Sequence, residues 1–188
     1  MGRVQTLAAR PARGVGAPPC AVAGAFLALA VALGCAGDMV AVDGGYWNKR
    51  HDYRFEAPGG PGPAWERVRV KGTDIAFRRP GPETLIVKSS CGRPVARPEI
   101  MARQLVIGIE SRQIVDSEAV QVDGLAAWRQ TIESRGVRVK TVTAVAGDCT
   151  VDWMLTLSGP GPHDDAEAAF EAWLASFRLA GPTEPTGP

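Results

Sequence analysis

The chain is poor in the residues that most site chemistry needs. It has only two histidines, His51 and His163, far apart in sequence. Its four cysteines form no Cys-x-x-Cys pair, so the closely spaced ligand frameworks of structural zinc sites are excluded, and no metal is expected. There is no Gly-x-Ser-x-Gly elbow, no His-Glu-x-x-His helix, no phosphate-binding glycine loop and no dinucleotide fingerprint. His51 stands beside Asp52 in a polar run, and His163 beside Asp164 in a Pro/Gly loop. Both read as surface or helix-start histidines. The expectation is therefore no enzyme, no catalytic residue and no cofactor. Excess charge is also missing, the formal net charge being +1. The arginines Arg67, Arg69, Arg78 and Arg79 are interleaved with Val and Ala, as on the solvent face of strands. No basic stripe points to nucleic acid.

One long apolar run is present, from Cys20 to Gly37. Arg3, Arg10 and Arg13 precede it, and no acidic residue occurs before Asp38. A basic segment, a short apolar segment and small residues at a cut site make an export signal. A spanning helix takes about 20 apolar residues, and here Pro18 and Pro19 bound the run while Ala and Gly dilute it. The run ends in Ala32-Leu33-Gly34-Cys35. That tail resembles the lipobox of bacterial lipoproteins, although Ala32 stands where that family usually has Leu. The resemblance implies a signal peptide over 1–34 and lipid attachment at Cys35. The absence of Asp after Cys35 implies the outer membrane, facing the periplasm, rather than the inner one. A secreted protein cut at a nearby Ala or Gly and an uncleaved anchor are the alternatives.

Cys91 and Cys149 remain in the exported part. An oxidising compartment makes them a disulfide candidate, closing a long loop worth roughly 4 kcal/mol in the chain-entropy model. Two separate buried thiols are the alternative.

Past a tether over 35–45, the folded body is expected over 46–180. Tyr53 and Phe55 alternate with Arg54 and Glu56, which predicts a strand. Val68 and Val70 pair across Gly72-Thr73-Asp74 with Ile75 to Arg79 as a hairpin. Thr84 to Ser90 is a more apolar strand. Pro98 suits a first helical turn, and Met101, Leu105 and Ile109 recur every four residues, predicting an amphipathic helix within Arg93 to Glu110. Four further strands follow: Glu118–Val122, then Leu125–Ser134, Val137–Ala146 and the cleanly alternating Cys149–Leu157. A closing helix is capped by Asp164 or Asp165 and carries Ala166, Ala169, Phe170, Trp173, Leu174 and Phe177 as one apolar stripe. Residues 181–188, GPTEPTGP, read as a disordered tail. Of the five tryptophans, Trp153 and Trp173 belong to core stripes. Trp47, Trp65 and Trp128 fall in less regular stretches and are the candidates for lining a groove.

The spaced aromatics Tyr53, Phe55 and Trp65, with Pro58, then Gly124 before the long strands and the closing Ala169–Phe170–Phe177 helix, resemble the PsbP-like proteins. That resemblance implies an α+β fold: an antiparallel sheet with one internal and one C-terminal helix packed on it. It also implies a non-catalytic module that binds a protein partner. The expected protein is thus held to a membrane by a lipid and engages a protein partner; a carrier of a small apolar ligand is the alternative, and a hydrolase whose nucleophile no motif reveals is the third reading.

Overall fold

The strand Cys149–Ser158 lies at the centre of the molecule. Val151, Trp153, Leu155 and Leu157 along it are buried, while Asp152, Met154 and Thr156 between them are half-exposed. This period of two directs its large apolar side chains to one face of the sheet. A computed structural model describes residues 38–92, 95–159 and 162–179. The expected signal peptide over 1–34, Cys35 and the expected tail over 181–188 lie outside the described residues.

Short strands come first: β1 (Met39–Val42), β2 (Gly45–Asn48), β3 (Tyr53–Glu56), β4 (Glu66–Val68) and β5 (Ile75–Arg78). Then follow β6 (Thr84–Cys91), helix α1 (Pro98–Leu105), and the long strands β7 (Gln113–Val122), β8 (Leu125–Ser134), β9 (Val137–Ala146) and β10 (Cys149–Ser158). Helix α2 (Asp164–Ala175) and β11 (Arg178–Leu179) close the chain. Every described pairing is antiparallel. The α+β class with one internal and one C-terminal helix therefore holds, but the strands divide between two sheets. One has four strands in the order β1-β2-β3-β11, and the other has seven in the order β4-β5-β6-β10-β9-β8-β7.

The long hairpins turn where expected. Asp123 and Gly124 have φ of 49° and 77°, and Arg135 and Gly136 have 49° and 79°. Paired left-handed residues match the right-handed twist of the flanking strands, which is why two-residue hairpins use them. The two helices cover opposite faces of the large sheet. Arg129 is in register with Val142, and Val142 with Trp153, so the three share a face. Arg129 pairs with Glu171 of α2 at 2.7 Å on that face. Gln130, one residue on, points the other way and donates to the Ala102 carbonyl of α1 at 2.8 Å.

The small sheet packs over the α2 face. Phe55 from β3, Phe77 from β5 and Trp173 from α2 meet there edge to face. Trp153 and Phe177 extend the same cluster, with ring centroids 4.8 Å apart. Trp153 and Trp173 are buried, as their stripes predict. A ring of ion pairs seals the edge of α2: Lys140 and Arg138 reach Glu167, and Arg129 reaches Glu171.

Several details differ from the sequence reading. Strand β7 begins at Gln113 rather than Glu118, and the short strand β11 was not expected. Met39–Val42, expected within a tether, is a strand paired with β2, and Met39 is 6% exposed. Its alternation is too short to register as a strand without the partner. Helix α1 ends at Leu105, earlier than expected, so Ile109 lies beyond it; Ala102 is its buried residue, Met101 and Leu105 are half-buried, and Val106 at the C-cap is buried. His163 occupies the position before α2 and makes no side-chain cap, while Asp164, Asp165 and Glu167 lie in the first turn, where the helix dipole favours them. Val70 is exposed because β4 ends at Val68. Arg79, read as solvent-facing, is buried beneath the 59–63 loop. It donates to the Pro61 carbonyl at 2.7 Å, pairs with Glu83 at 3.6 Å and lies 4.5 Å from the Trp65 ring.

Candidate functional site

Strand β7 forms one edge of the large sheet. Its seven residues from Gln113 to Ala119 are all exposed. An edge strand presents backbone N–H and C=O groups that lack a ladder partner. Strand β4, at the opposite edge, offers only three residues. Ile114 and Val115 are 44% and 45% exposed, which places apolar side chains on the open edge. The register shifts between Ile114 and Asp116, so a bulge interrupts the pairing with β8 there. Asp116 and Glu118 give this edge negative charge, and Arg129 answers Glu118 at 3.4 Å.

Beside the edge, on the α1 face, lies a cleft of about 610 Å³. Pro98, Ala119, Val120, Ala127 and Trp128 supply most of its apolar wall. Trp128 thus stands in a groove, but neither Trp47 nor Trp65 reaches that one. Trp47 donates from Nε1 to Asp52 at 3.1 Å in the β2–β3 loop. Trp65 is half-buried against the core and under Arg79. The three tryptophans therefore serve three separate places.

A polar corner forms where the small sheet meets β6 and β10. Asp74 accepts from the Tyr53 hydroxyl at 2.6 Å and from the Ser89 amide at 2.6 Å. Burial pushes the Tyr53 phenol far above its ordinary value, and the charge of Asp74 pushes in the same direction. Across the sheet, burial raises the Asp152 carboxyl, while the hydrogen bond from Thr143 and the charge of Lys88 oppose that shift.

Cys91 and Cys149 face each other in register on β6 and β10 and are joined as a disulfide. The Nδ1 atom of His51 lies 3.0 Å from Cys91 Sγ. Local chain chemistry puts it there. Asn48 Oδ1 accepts from the amides of Arg50 and His51 at 3.0 and 3.1 Å, folding the loop back on itself. No short-range signal in the sequence joins His51 to Cys91, because the contact depends on how the two sheets pack. His163 sits elsewhere, against Glu83 at 3.4 Å.

No family model and no curated protein matches the chain. Solved structures do. The solution structure of the cyanobacterial PsbP protein CyanoP from Synechocystis sp. PCC 6803 superposes with a TM-score of 0.54 at 17% identity, covering 74% of this chain and 95% of that one. The fold is PsbP-like. A Pseudomonas aeruginosa protein of unknown function, PA94, matches with a TM-score of 0.45 at 13% identity, covering 77% of this chain and 97% of that one. A protein from Bacteroides thetaiotaomicron VPI-5482 matches with a TM-score of 0.45 at 12% identity, covering 69% of this chain and 46% of that one. A fold by itself does not assign a function.

Proposed function

We propose that the protein is a lipid-anchored module of the bacterial cell envelope that binds a protein partner along the open edge of β7. The partner supplies an extended segment that adds a strand beside β7, with cationic side chains opposite Asp116 and Glu118. The observation that carries this reading is the run of exposed residues along a ten-residue edge strand, with Ile114 and Val115 available to a partner. Strand addition draws affinity from main-chain hydrogen bonds and specificity from alternate side chains. The lipobox-like tail at Cys35 supports anchoring in the outer membrane, facing the periplasm. The Cys91–Cys149 disulfide supports an oxidising compartment.

The test is a photo-reactive residue in place of Ser117, in intact cells, with the same residue at Arg69, which is also exposed, as the control. Position 117 gives one adduct of fixed mass, and Val115→Lys abolishes it without changing the melting temperature. Equal adducts from both positions, or an adduct indifferent to Val115→Lys, contradict the proposal. The cleft at Trp128 favours a second reading, a carrier of a small apolar ligand. On that reading an apolar fluorescent probe binds the purified protein and Trp128→Ala releases it.

A further inference from the structure

We propose that the Cys91–Cys149 bridge masks a binding site for Zn²⁺, which forms with His51 when the bridge is reduced. Three potential ligand atoms, His51 Nδ1, Cys91 Sγ and Cys149 Sγ, lie within 4.8 Å of one another. All three residues are half-exposed and line one open cleft, so an ion has access. The carboxylate of Asp148 stands 3.5 Å from Cys149 Sγ and offers a fourth, oxygen ligand. Two thiolates, an imidazole and a carboxylate suit a tetrahedral Zn²⁺ and do not suit Mg²⁺ or Ca²⁺.

The sulfur–imidazole separation is close to what the ion needs. Zn–S bonds of about 2.3 Å and Zn–N bonds of about 2.0–2.1 Å place tetrahedral ligand atoms roughly 3.5–3.8 Å apart. Cys91 Sγ and His51 Nδ1 are already 3.0 Å apart. Reduction lets the sulfurs separate, while the β6–β10 register keeps their strands opposed. The Asn48 hydrogen bonds hold the His51 loop in place. The site is assembled from two sheets, which is why sequence spacing conceals it.

The chemistry balances. A dithiol gives two electrons and two protons, the Cys91–Cys149 bond breaks, and the dithiol closes to its own disulfide. Zn²⁺ then displaces one proton from each thiol as the two sulfurs bind it. The oxidised chain offers no thiolate, so it holds no zinc here. The inference does not depend on the partner at β7 or on the lipid.

The experiment titrates Co²⁺, as a spectroscopic stand-in for Zn²⁺, into the full chain before and after phosphine reduction and removal of the phosphine. The reduced chain binds one Co²⁺ with thiolate-to-cobalt charge-transfer bands and the intense visible bands of tetrahedral coordination, and Zn²⁺ displaces it. The oxidised chain shows neither set of bands. His51→Ala weakens binding at least tenfold, the scale on which even outer ligand partners act. Cys149→Ser, which cannot form the bridge, also binds at least tenfold more weakly. A reduced chain that gives no thiolate–cobalt band overturns the inference, as does a His51→Ala variant of unchanged affinity. If reduction unfolds the chain, recovery of its β-sheet circular dichroism on adding Zn²⁺ supports the site, and failure to recover overturns it.

Discussion

Trp173 of α2 meets Phe55 of β3 edge to face, with ring centroids 5.1 Å apart and planes at 82°. The same indole stands edge-on to Phe77 at 5.7 Å and 87°. One side chain from the closing helix thus joins the small sheet to the large one. Such aromatic pairs add about 0.5–1.5 kcal/mol beyond the area they bury.

Trp173→Ala is expected to cost about 3–5 kcal/mol, the range for emptying a large buried site. Trp173→Phe is expected to cost less than half of that. It keeps a ring against Phe55 and removes an indole N–H that is buried without a partner among the described residues. Denaturant unfolding of the two variants checks the order.

Gly45 opposes Glu56 where β2 meets β3. A Cβ there would overlap the Phe55 carbonyl oxygen, which is backbone and cannot swing aside. Gly45→Ala is expected to lower the melting temperature sharply. Gly44→Ala places its Cβ in open space and strains only the turn, where φ is 73°, so it should cost less. Thermal melts of the pair separate overlap from strain.

Tyr53 is fully buried and donates to Asp74. Tyr53→Phe leaves Asp74 its bonds from Ser89, so the loss at neutral pH is expected to be about 1–3 kcal/mol. The phenol is raised in the folded state, so the unfolded chain loses its proton first as pH climbs above 10.0, the ordinary value. Wild type should therefore lose stability relative to Tyr53→Phe in that alkaline range and not below it. Urea midpoints measured against pH test the sign.

Asp152 is also raised in the folded state. Its stabilising share is complete while both states are protonated, and it falls as pH rises above the ordinary 3.8. Asp152→Asn can still accept from Thr143 and carries no charge. The variant is expected to melt above wild type at neutral pH, and the gap should close near about pH 3, below the ordinary carboxylate range.

The cleanly alternating Cys149–Leu157 was legible residue by residue. Leu125–Ser134 and Val137–Ala146 have the bounds their sequence predicts, because Asp123-Gly124 and Arg135-Gly136 fix the turns and the buried faces fix the register. The stripe of α2 was equally plain. Met39–Val42 was hidden because four residues carry too little pattern, and their strand character comes from pairing with β2. Arg79 was misread because its cover, the Pro61 carbonyl and the Trp65 ring, comes from a loop with no pattern of its own. The tryptophans could be sorted into core and irregular groups, but three-dimensional packing sends Trp47, Trp65 and Trp128 to separate places. The Cys91–Cys149 pair was a candidate from its compartment. Its neighbour His51 was not, since the contact needs both sheets in place.

The proposed placing of the β7 edge in the envelope rests on sulfur chemistry at Cys35, so the direct measurement is metabolic labelling with radioactive palmitate in a bacterial host. Wild type is expected to carry the label and partition with outer membranes, and Cys35→Ser to carry none. Label retained on Cys35→Ser, or a wild-type chain that is unlabelled and cytosolic with residues 1–34 intact, would contradict the lipid anchor.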